Sequence, residues 1–152
     1  PKYDKKTIGL NEEYNLTETL AFNNKNYTLY NLFMGVTHTV VFVENLQEII
    51  KTSLGEHICY HPMFVDRTNV DFVEIISKNE IKMKTYERGV GWTLACGTGS
   101  CAAFITGLKL NLLNESIKVN FEIGSVNLEK ENNNIILYSG AERICIGQYI
   151  KK

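Results

Sequence analysis

The segment Ala95-Cys96-Gly97-Thr98-Gly99-Ser100-Cys101 places a thiol and two glycines at the predicted start of a helix. A cysteine at the mouth of a helix meets unpaired N–H groups and the positive end of the helix dipole, which stabilise a thiolate. The same N–H groups can hold a carboxylate or a phosphate, and glycines let a ligand approach the backbone closely. Two interpretations stay open from this motif alone: a reactive Cys96 beside an anion site, or a small residue packed in a tight turn.

A second polar motif, Tyr86-Glu87-Arg88-Gly89, follows directly after a predicted strand. An arginine at a strand end can bind a carboxylate through two parallel hydrogen bonds. A glutamate at the same place could orient or deprotonate a nearby thiol. Taken alone, the pair is equally compatible with a solvated ion pair on the surface.

Histidines and cysteines raise the question of a metal site, and we expect none. On a helix, His57 and His61 would share a face that Cys59 does not, and no acidic or sulfur ligand stands at a matching spacing. A Cys-x4-Cys site formed by Cys96 and Cys101 would need a second pair, which the sequence lacks. We therefore place Cys101 in the core, one turn into its helix.

Two further polar residues stand next to predicted strands. His38 lies where a turn enters a strand, within Gly35-Val36-Thr37-His38-Thr39-Val40, and Asn69 directly precedes another strand. A lone histidine is usually structural, and amide side chains often hold turns. The two residues alone therefore indicate no chemistry.

The pattern of apolar residues predicts an α+β domain in which many strands curl around one buried helix. We expect a helix from Asn45, a plausible N-cap, to about residue 60, where His61-Pro62 ends it. A second helix over 100–110 is apolar on nearly all sides, which is typical of a central helix. Residues 1–16 are polar and are expected to form a linker or an edge. Strands are predicted over 19–22, 27–33, 40–43, 70–76, 81–86, 117–123, 126–129, 135–138 and 143–150.

Composition narrows the class of protein. The chain has 152 residues, 44% hydrophobic and 22% charged, which fits one soluble globular domain over 1–152. Sixteen basic residues against seventeen acidic ones give a net charge of -1, so nucleic-acid binding has no electrostatic support. The uncharged stretch 89–108 is long enough to span a membrane, but its five glycines make it a poor transmembrane helix. Four cysteines without a signal peptide indicate free thiols in a reducing compartment, so we expect a cytoplasmic protein.

The motifs together resemble the carboxy-terminal half of the diaminopimelate epimerase family. The resemblance covers roughly residues 30–150, in order and in spacing. It is most specific in the Glu-Arg-Gly block at residue 87 and in the Ala-Cys-Gly-Thr-Gly block at residue 95. Further matches are Gly35 to Val40, His61-Pro62-Met63-Phe64, Thr68-Asn69-Val70-Asp71-Phe72-Val73 and Ala141-Glu142-Arg143.

The resemblance implies an isomerase without a cofactor, in which two cysteines face each other across the α-carbon of an amino acid. One cysteine acts as a thiolate base and the other as a thiol acid. The reaction converts LL- to meso-diaminopimelate, a precursor of lysine and peptidoglycan. Cys96 matches one of the two cysteines; Glu87 and His38 match the residues thought to help the cysteines ionise. Substrate-binding positions fall on Asn69, Arg88 and the amides of Gly97 and Thr98.

Two departures from the family pattern shape the expected function. Val36 stands where the family usually has an asparagine that contacts the substrate, which favours a related racemase of another amino acid as the alternative. Nothing matches the Cys-Gly-Asn-Gly block of the family's other half, and the chain starts at Pro1. We therefore expect a carboxy-terminal half that is inactive without its amino-terminal half. A non-catalytic homologous domain is the third alternative, and a homodimer is left open.

Overall fold

The computed structural model describes residues 1–150, which form one mixed sheet with four helices. The helices are α1 (Lys5–Ile8), α2 (Leu46–Ile49), α3 (Leu54–Cys59) and α4 (Gly97–Lys109). The strands are β1 (Thr17–Phe22), β2 (Lys25–Met34), β3 (Val36–Phe42), β4 (Asn69–Ser77), β5 (Glu80–Glu87), β6 (Gly91–Thr93), β7 (Ser116–Phe121), β8 (Gly124–Glu131) and β9 (Asn134–Tyr138).

The strands follow the order β1-β2-β3-β4-β5-β7-β8-β9, and β6 pairs with the far end of β5. Two neighbouring pairs are parallel, β3 with β4 and β5 with β7, and the other pairs are antiparallel. β7 pairs with β5 near Ile81, whereas β6 pairs with it near Tyr86. The two ends of β5 therefore have different neighbours, and its Glu87 end faces the short strand β6.

Helix α4 packs against one face of the sheet and forms the centre of the main core. Side chains alternate between the two faces of a strand, so every second residue of β4 and β5 points toward this helix. The cluster around α4 draws residues from β2, β3, β4, β5, β7 and β8, which confirms the predicted sheet curled around one buried helix. Its buried members are Leu32, Val40, Val73, Ile81, Met83, Ala102, Ala103, Phe104, Leu113, Ile117, Val119 and Leu128.

The opposite face of the sheet is covered by α1, α2 and α3. Leu54 and Ile58 of α3 pack there on Val70 and Phe72 of β4. The first sixteen residues take part in this layer, since Ile8 is buried in the same cluster. We predicted a linker or an edge for residues 1–16 because the segment is polar on average. The packing was not predicted, since only single apolar residues of the segment enter the core.

Several local predictions are confirmed. Thr17–Phe22 and Lys25–Met34 form a hairpin whose turn, Asn23-Asn24, has positive φ at both residues, the geometry of a type I′ turn. The hairpin of β4 and β5 is also present. The side chain of Asn45 accepts hydrogen bonds from two amides of α2, as expected for an N-cap.

Two predictions are wrong. The expected helix from Asn45 to residue 60 is interrupted between α2 and α3, because the Thr52 hydroxyl donates to Ile49 O and accepts from Leu54 N–H. Residues 143–150 form no strand and are exposed; Ile144, for example, is 96% exposed. An alternating sequence makes a strand only where a neighbouring strand satisfies its backbone groups, and residues 143–150 pair with none of the nine strands described.

The uncharged stretch 89–108 contains a turn, β6 and the first part of α4. Within residues 1–150, none of the helices has the length and apolar character that crossing a membrane requires. Within α4 the stretch is uncharged because this helix is central to the core.

Candidate active site

Three neighbouring strands bring polar residues together at one edge of the sheet. The parallel register of β3 and β4 sets His38 opposite Asn69, and Val70 lies opposite Tyr86, which puts Asn69 beside Glu87. His38, Asn69 and Glu87 were selected from separate parts of the sequence. Their proximity follows from strand pairing, which spans about fifty residues of chain.

Cys96 closes this edge as the N-cap of α4. Its backbone is extended, and its Sγ accepts a hydrogen bond from Gly99 N–H at 3.3 Å. The helix starts at Gly97, three residues before the predicted start, because the thiol takes the place of a polar N-cap side chain. The amides of Gly97 and Thr98 occupy the first two helical positions, which have no intrahelical acceptor, and both residues are exposed.

The thiol of Cys96 has a raised pKa. Burial is the main cause, since only 8% of the residue is exposed, and the negative charge of Asp71 acts in the same direction. The hydrogen bond between the thiol and Thr98 and the one from Gly99 N–H lower the pKa but do not reverse the shift, and Glu87 adds a further raising effect. The stabilised thiolate expected from the helix terminus is therefore outweighed, and the resting side chain is a protonated thiol.

A buried network connects His38 to the mouth of α4. His38 Nδ1 lies 2.7 Å from Asp71 Oδ2, and Thr85 Oγ1 donates to Asp71 Oδ1 at 2.8 Å. His38 Nε2 lies 3.1 Å from Thr98 Oγ1, which in turn lies 3.6 Å from Cys96 Sγ. His38 and Asp71 are fully buried. The five side chains form an unbroken chain of hydrogen-bonded contacts from β5 to the thiol.

Asp71, Thr85 and the hydroxyl of Thr98 were not among the residues selected from the sequence. Asp71 could have been found, because a carboxylate between Val70 and Phe72 interrupts a run of buried apolar residues. A charge in such a run is rarely buried unless it is paired. No comparable signal marks Thr85 or Thr98.

Glu87 and Asn69 lie on the α4 side of the sheet, whereas the Arg88 side chain lies on the other side, near Asp66 and Cys59. Thr93 Oγ1 donates to Glu87 Oε1 at 2.9 Å, which fixes the carboxylate near Cys96. Asn69 Oδ1 accepts from the backbone N–H of Arg88 at 3.0 Å, so the Nδ2 group of this amide is left to donate elsewhere. The Arg88 guanidinium donates to Asp66 O at 3.1 Å and is thereby held against the loop before β4.

The other histidines and cysteines lie outside this edge. Cys101 packs against the core around α4, as predicted, and Cys59 is buried in the layer of α3. His57 and His61 contact each other edge to face with ring centroids 5.9 Å apart. Across residues 1–150, histidine, cysteine, aspartate and glutamate form no group of three or more that could hold a metal ion.

Solved structures of other proteins share this fold. A hydroxyproline epimerase from Agrobacterium vitis superposes with a TM-score of 0.56 at 16% identity, over 80% of this chain and 44% of that one. A PhzF-family phenazine biosynthesis protein from Enterococcus faecalis gives a TM-score of 0.54 at 12% identity, over 72% of this chain and 42% of that one. At these identities, the likeness establishes a common fold.

Curated relatives are closer in sequence. The diaminopimelate epimerase of Halothermothrix orenii is 37% identical over 131 residues, which cover 86% of this chain and 46% of that protein. The diaminopimelate epimerase of Alkaliphilus metalliredigens is 35% identical over 150 residues, or 97% of this chain and 53% of that protein. The chain thus spans about half the length of the curated relatives it matches.

The family profile described as diaminopimelate epimerase matches residues 30–144, about three quarters of the chain. The match includes β3, β4, β5 and α4, the elements that position the residues around Cys96. On this match, the chain belongs to the diaminopimelate epimerase family.

Proposed function

We propose that this chain is the carboxy-terminal catalytic half of a cofactor-independent diaminopimelate epimerase, which converts LL- to meso-diaminopimelate for lysine and peptidoglycan synthesis. The observation that carries the proposal is the position of Cys96 at the mouth of α4, beside the exposed amides of Gly97 and Thr98. A thiol and an anion-binding helix end at one place suit proton transfer at a carbon next to a carboxylate.

The substrate's α-carboxylate would accept hydrogen bonds from the amides of Gly97 and Thr98. Asn69 Nδ2 would add a donor, and Arg88 would do so once its guanidinium turns from Asp66 O toward the substrate. Removal of the α-proton shifts negative charge into the carboxylate, and the positive end of α4 stabilises this charge as it develops. The helix end thus favours the transition state more than the bound substrate.

Epimerisation moves the proton from one face of the α-carbon to the other and needs a base and an acid on opposite faces. One cysteine, as a thiolate, takes the proton, and the second, as a thiol, donates its own proton to the other face. The raised pKa of Cys96 supports its starting as the thiol acid when substrate enters. The second cysteine would come from the amino-terminal half, and Glu87 and His38 would assist ionisation of the thiols.

The surroundings of the site support a second half that covers it. Val90 and Leu94 are 73% and 52% exposed, and they lie two residues from Arg88 and from Cys96. Exposed apolar side chains next to a polar site are suited to contact with a second domain. We therefore propose that the chain alone does not epimerise, because one face of the α-carbon has no acid.

The test is proton exchange at the α-carbon of diaminopimelate in heavy water, followed by NMR. We expect no exchange with this chain alone, and exchange with the protein expressed from the complete reading frame. The Cys96→Ala variant of the complete protein should lose it. Exchange by the isolated chain would contradict the need for a second half, and its absence from the complete protein would contradict the epimerase assignment.

Val36 favours a racemase of another amino acid as the second candidate function. It lies two residues before His38 on the same face of β3, and its side chain cannot hydrogen-bond a substrate. A panel of amino acids in the same exchange assay separates the two enzymes. If no amino acid exchanges and Cys96→Ala changes nothing, the chain is the non-catalytic homologous domain.

A further inference from the structure

In the buried hydrogen-bond network that ends at Cys96, the chemistry of the side chains determines which atom donates and which accepts. Asp71 is fully buried, and its two oxygens are in contact with Thr85 and with His38 Nδ1. A carboxylate accepts hydrogen bonds only, so Nδ1 of His38 carries a hydrogen and donates it to Asp71. In the neutral ring, Nε2 is then the acceptor, and it faces the Thr98 hydroxyl at 3.1 Å.

The Thr98 hydroxyl can serve both of its neighbours at once. It has one hydrogen, which it can donate to His38 Nε2, and lone pairs that can accept from the Cys96 thiol 3.6 Å away. The donors and acceptors then run in one sense from the thiol to the carboxylate. Thr98 is exposed at the helix mouth, whereas His38 is not, so the hydroxyl connects the buried ring to the reacting end of the site.

We propose that the Thr98 side chain relays the proton of Cys96 to His38, and that Asp71 is the positioning residue that makes His38 able to receive it. The S–H bond of Cys96 breaks as its proton joins Thr98 Oγ1, and the original hydroxyl proton of Thr98 moves to His38 Nε2. The products are a thiolate and an imidazolium paired with the Asp71 carboxylate. The reverse steps restore the thiol, and no further reactant is needed.

The arrangement explains how a thiol in this place can ionise. The hydrogen bonds at the helix end do not compensate for burial and for the charge of Asp71, which together raise the pKa of Cys96. Transfer to His38 makes a positive charge next to the same Asp71 carboxylate, so the net charge of the buried group is unchanged. Glu87 is the other carboxylate near Cys96, and it is the competing acceptor for the proton.

The relay is used in the proposed function, but it can be tested without a substrate. The measurement is the rate of Cys96 alkylation by iodoacetamide between pH 6 and pH 9, followed by peptide mass spectrometry, with exposed Cys145 as an internal reference. Only the thiolate reacts with iodoacetamide. The fraction of Cys96 that exists as a thiolate–imidazolium pair therefore contributes an alkylation rate that does not change with pH below the pKa of the thiol. The variants are Thr98→Val, Thr98→Ser, Asp71→Asn and Glu87→Gln.

We expect Thr98→Val to remove the pH-independent component, lowering the rate near pH 6.5 by at least about tenfold, the effect of one pKa unit. Thr98→Ser, which keeps the hydroxyl, should restore it, and Asp71→Asn should lose it. Circular dichroism checks folding, and Thr98 is exposed, so its two variants are decisive even if Asp71→Asn unfolds. Equal alkylation rates for Thr98→Val and Thr98→Ser would overturn the relay. So would loss of the pH-independent component in Glu87→Gln alone.

The tautomer of His38 gives an independent readout. Long-range ¹H–¹⁵N spectra of the three histidines, assigned with a His38→Gln variant, report which ring nitrogen carries the hydrogen. We expect protonated Nδ1 in the original chain and in both Thr98 variants, and loss of this preference in Asp71→Asn. A neutral His38 ring that carries its hydrogen on Nε2 and not on Nδ1 would contradict the relay. If both tests support the relay but the complete protein exchanges no amino acid, the proposed function is refuted and the relay is not.

Discussion

Gly99 lies so close to Asp71 that a β-carbon on Gly99 would clash with Asp71 Oδ1 and come within 3.0 Å of its Cγ. The carboxylate cannot easily move away, because it is fully buried and held by His38 and Thr85. The first turn of α4 thus packs directly on the carboxylate. Its positive end offsets part of the free energy that burying the charge costs.

Replacing Gly99 by alanine should therefore lower stability and disturb the site. We expect Gly99→Ala to reduce the free energy of unfolding by about 1–3 kcal/mol, the usual range for overpacking. The matched control is Gly97→Ala, whose β-carbon would have an ordinary contact of 3.9 Å with Leu137. Urea unfolding of both variants measures the difference. Similar stabilities would mean that α4 does not rest on Asp71 in this way.

Asn69 offers a test of substrate binding that leaves the backbone contact intact. Its Oδ1 accepts from Arg88 N–H, and aspartate at this position keeps that acceptor but loses the Nδ2 donor. In the complete protein, we expect Asn69→Asp to raise KM for the amino acid by at least about tenfold, since a second carboxylate then faces the substrate's carboxylate. The exposed Asn127→Asp on β8 makes the same charge change elsewhere and should leave KM unchanged. An unaltered KM in Asn69→Asp would exclude this amide from the substrate site.

Local sequence patterns predicted most of the fold because turns, caps and the spacing of apolar residues mark many of the helices and strands. The Asn23-Asn24 turn, the Asn45 cap and the apolar residues of α4 each follow from a few neighbouring residues. The interruption of the predicted helix at Thr52 could not be predicted. It depends on hydrogen bonds of the Thr52 hydroxyl with backbone groups, and these do not affect the spacing of apolar residues. The segment 143–150 was mispredicted because alternation alone does not supply a neighbouring strand.

The site was partly predictable for a different reason. Cys96, Gly97 and Thr98 are adjacent in sequence, so their juxtaposition could be inferred from the motif. His38 and Asp71 are 33 residues apart and meet only through the parallel pairing of β3 with β4. The pKa of Cys96 was expected to fall and instead is raised, because the motif showed the helix end but neither the burial nor the nearby carboxylates.

Buried thiols should make the protein less stable at alkaline pH. Burial raises the pKa of Cys59, Cys96 and Cys101, so each contributes stability that is fully present below the unfolded-state pKa of about 8.5 and is lost as the pH rises through the folded-state pKa. In that window the unfolded state binds fewer protons than the folded state. The free energy of unfolding should fall by at most about 1.4 kcal/mol per pH unit for each thiol.

Urea unfolding in reductant at pH 7.5, 8.5 and 9.5 measures this slope. The window stops at pH 9.5 because the pKa values of Tyr3 and Tyr86 are also raised by burial, and these phenols add to the slope at higher pH. Cys101→Ala should make the slope shallower, whereas Cys145→Ala, at an exposed position, should not change it. A slope independent of Cys101 would show that its thiol ionises equally in both states.

Substrate choice should depend on Val36. This side chain lies at the start of β3, two residues before His38 and on the same face, where an amide could reach a substrate bound at the mouth of α4. In the complete protein, we expect Val36→Asn to raise kcat/KM for diaminopimelate about tenfold, the effect of one net hydrogen bond near 1.4 kcal/mol. Val36→Thr, with nearly the same shape, controls for packing and should gain less. A fall with both variants, together with exchange of a different amino acid by the original protein, would assign Val36 to an apolar substrate pocket and favour the racemase.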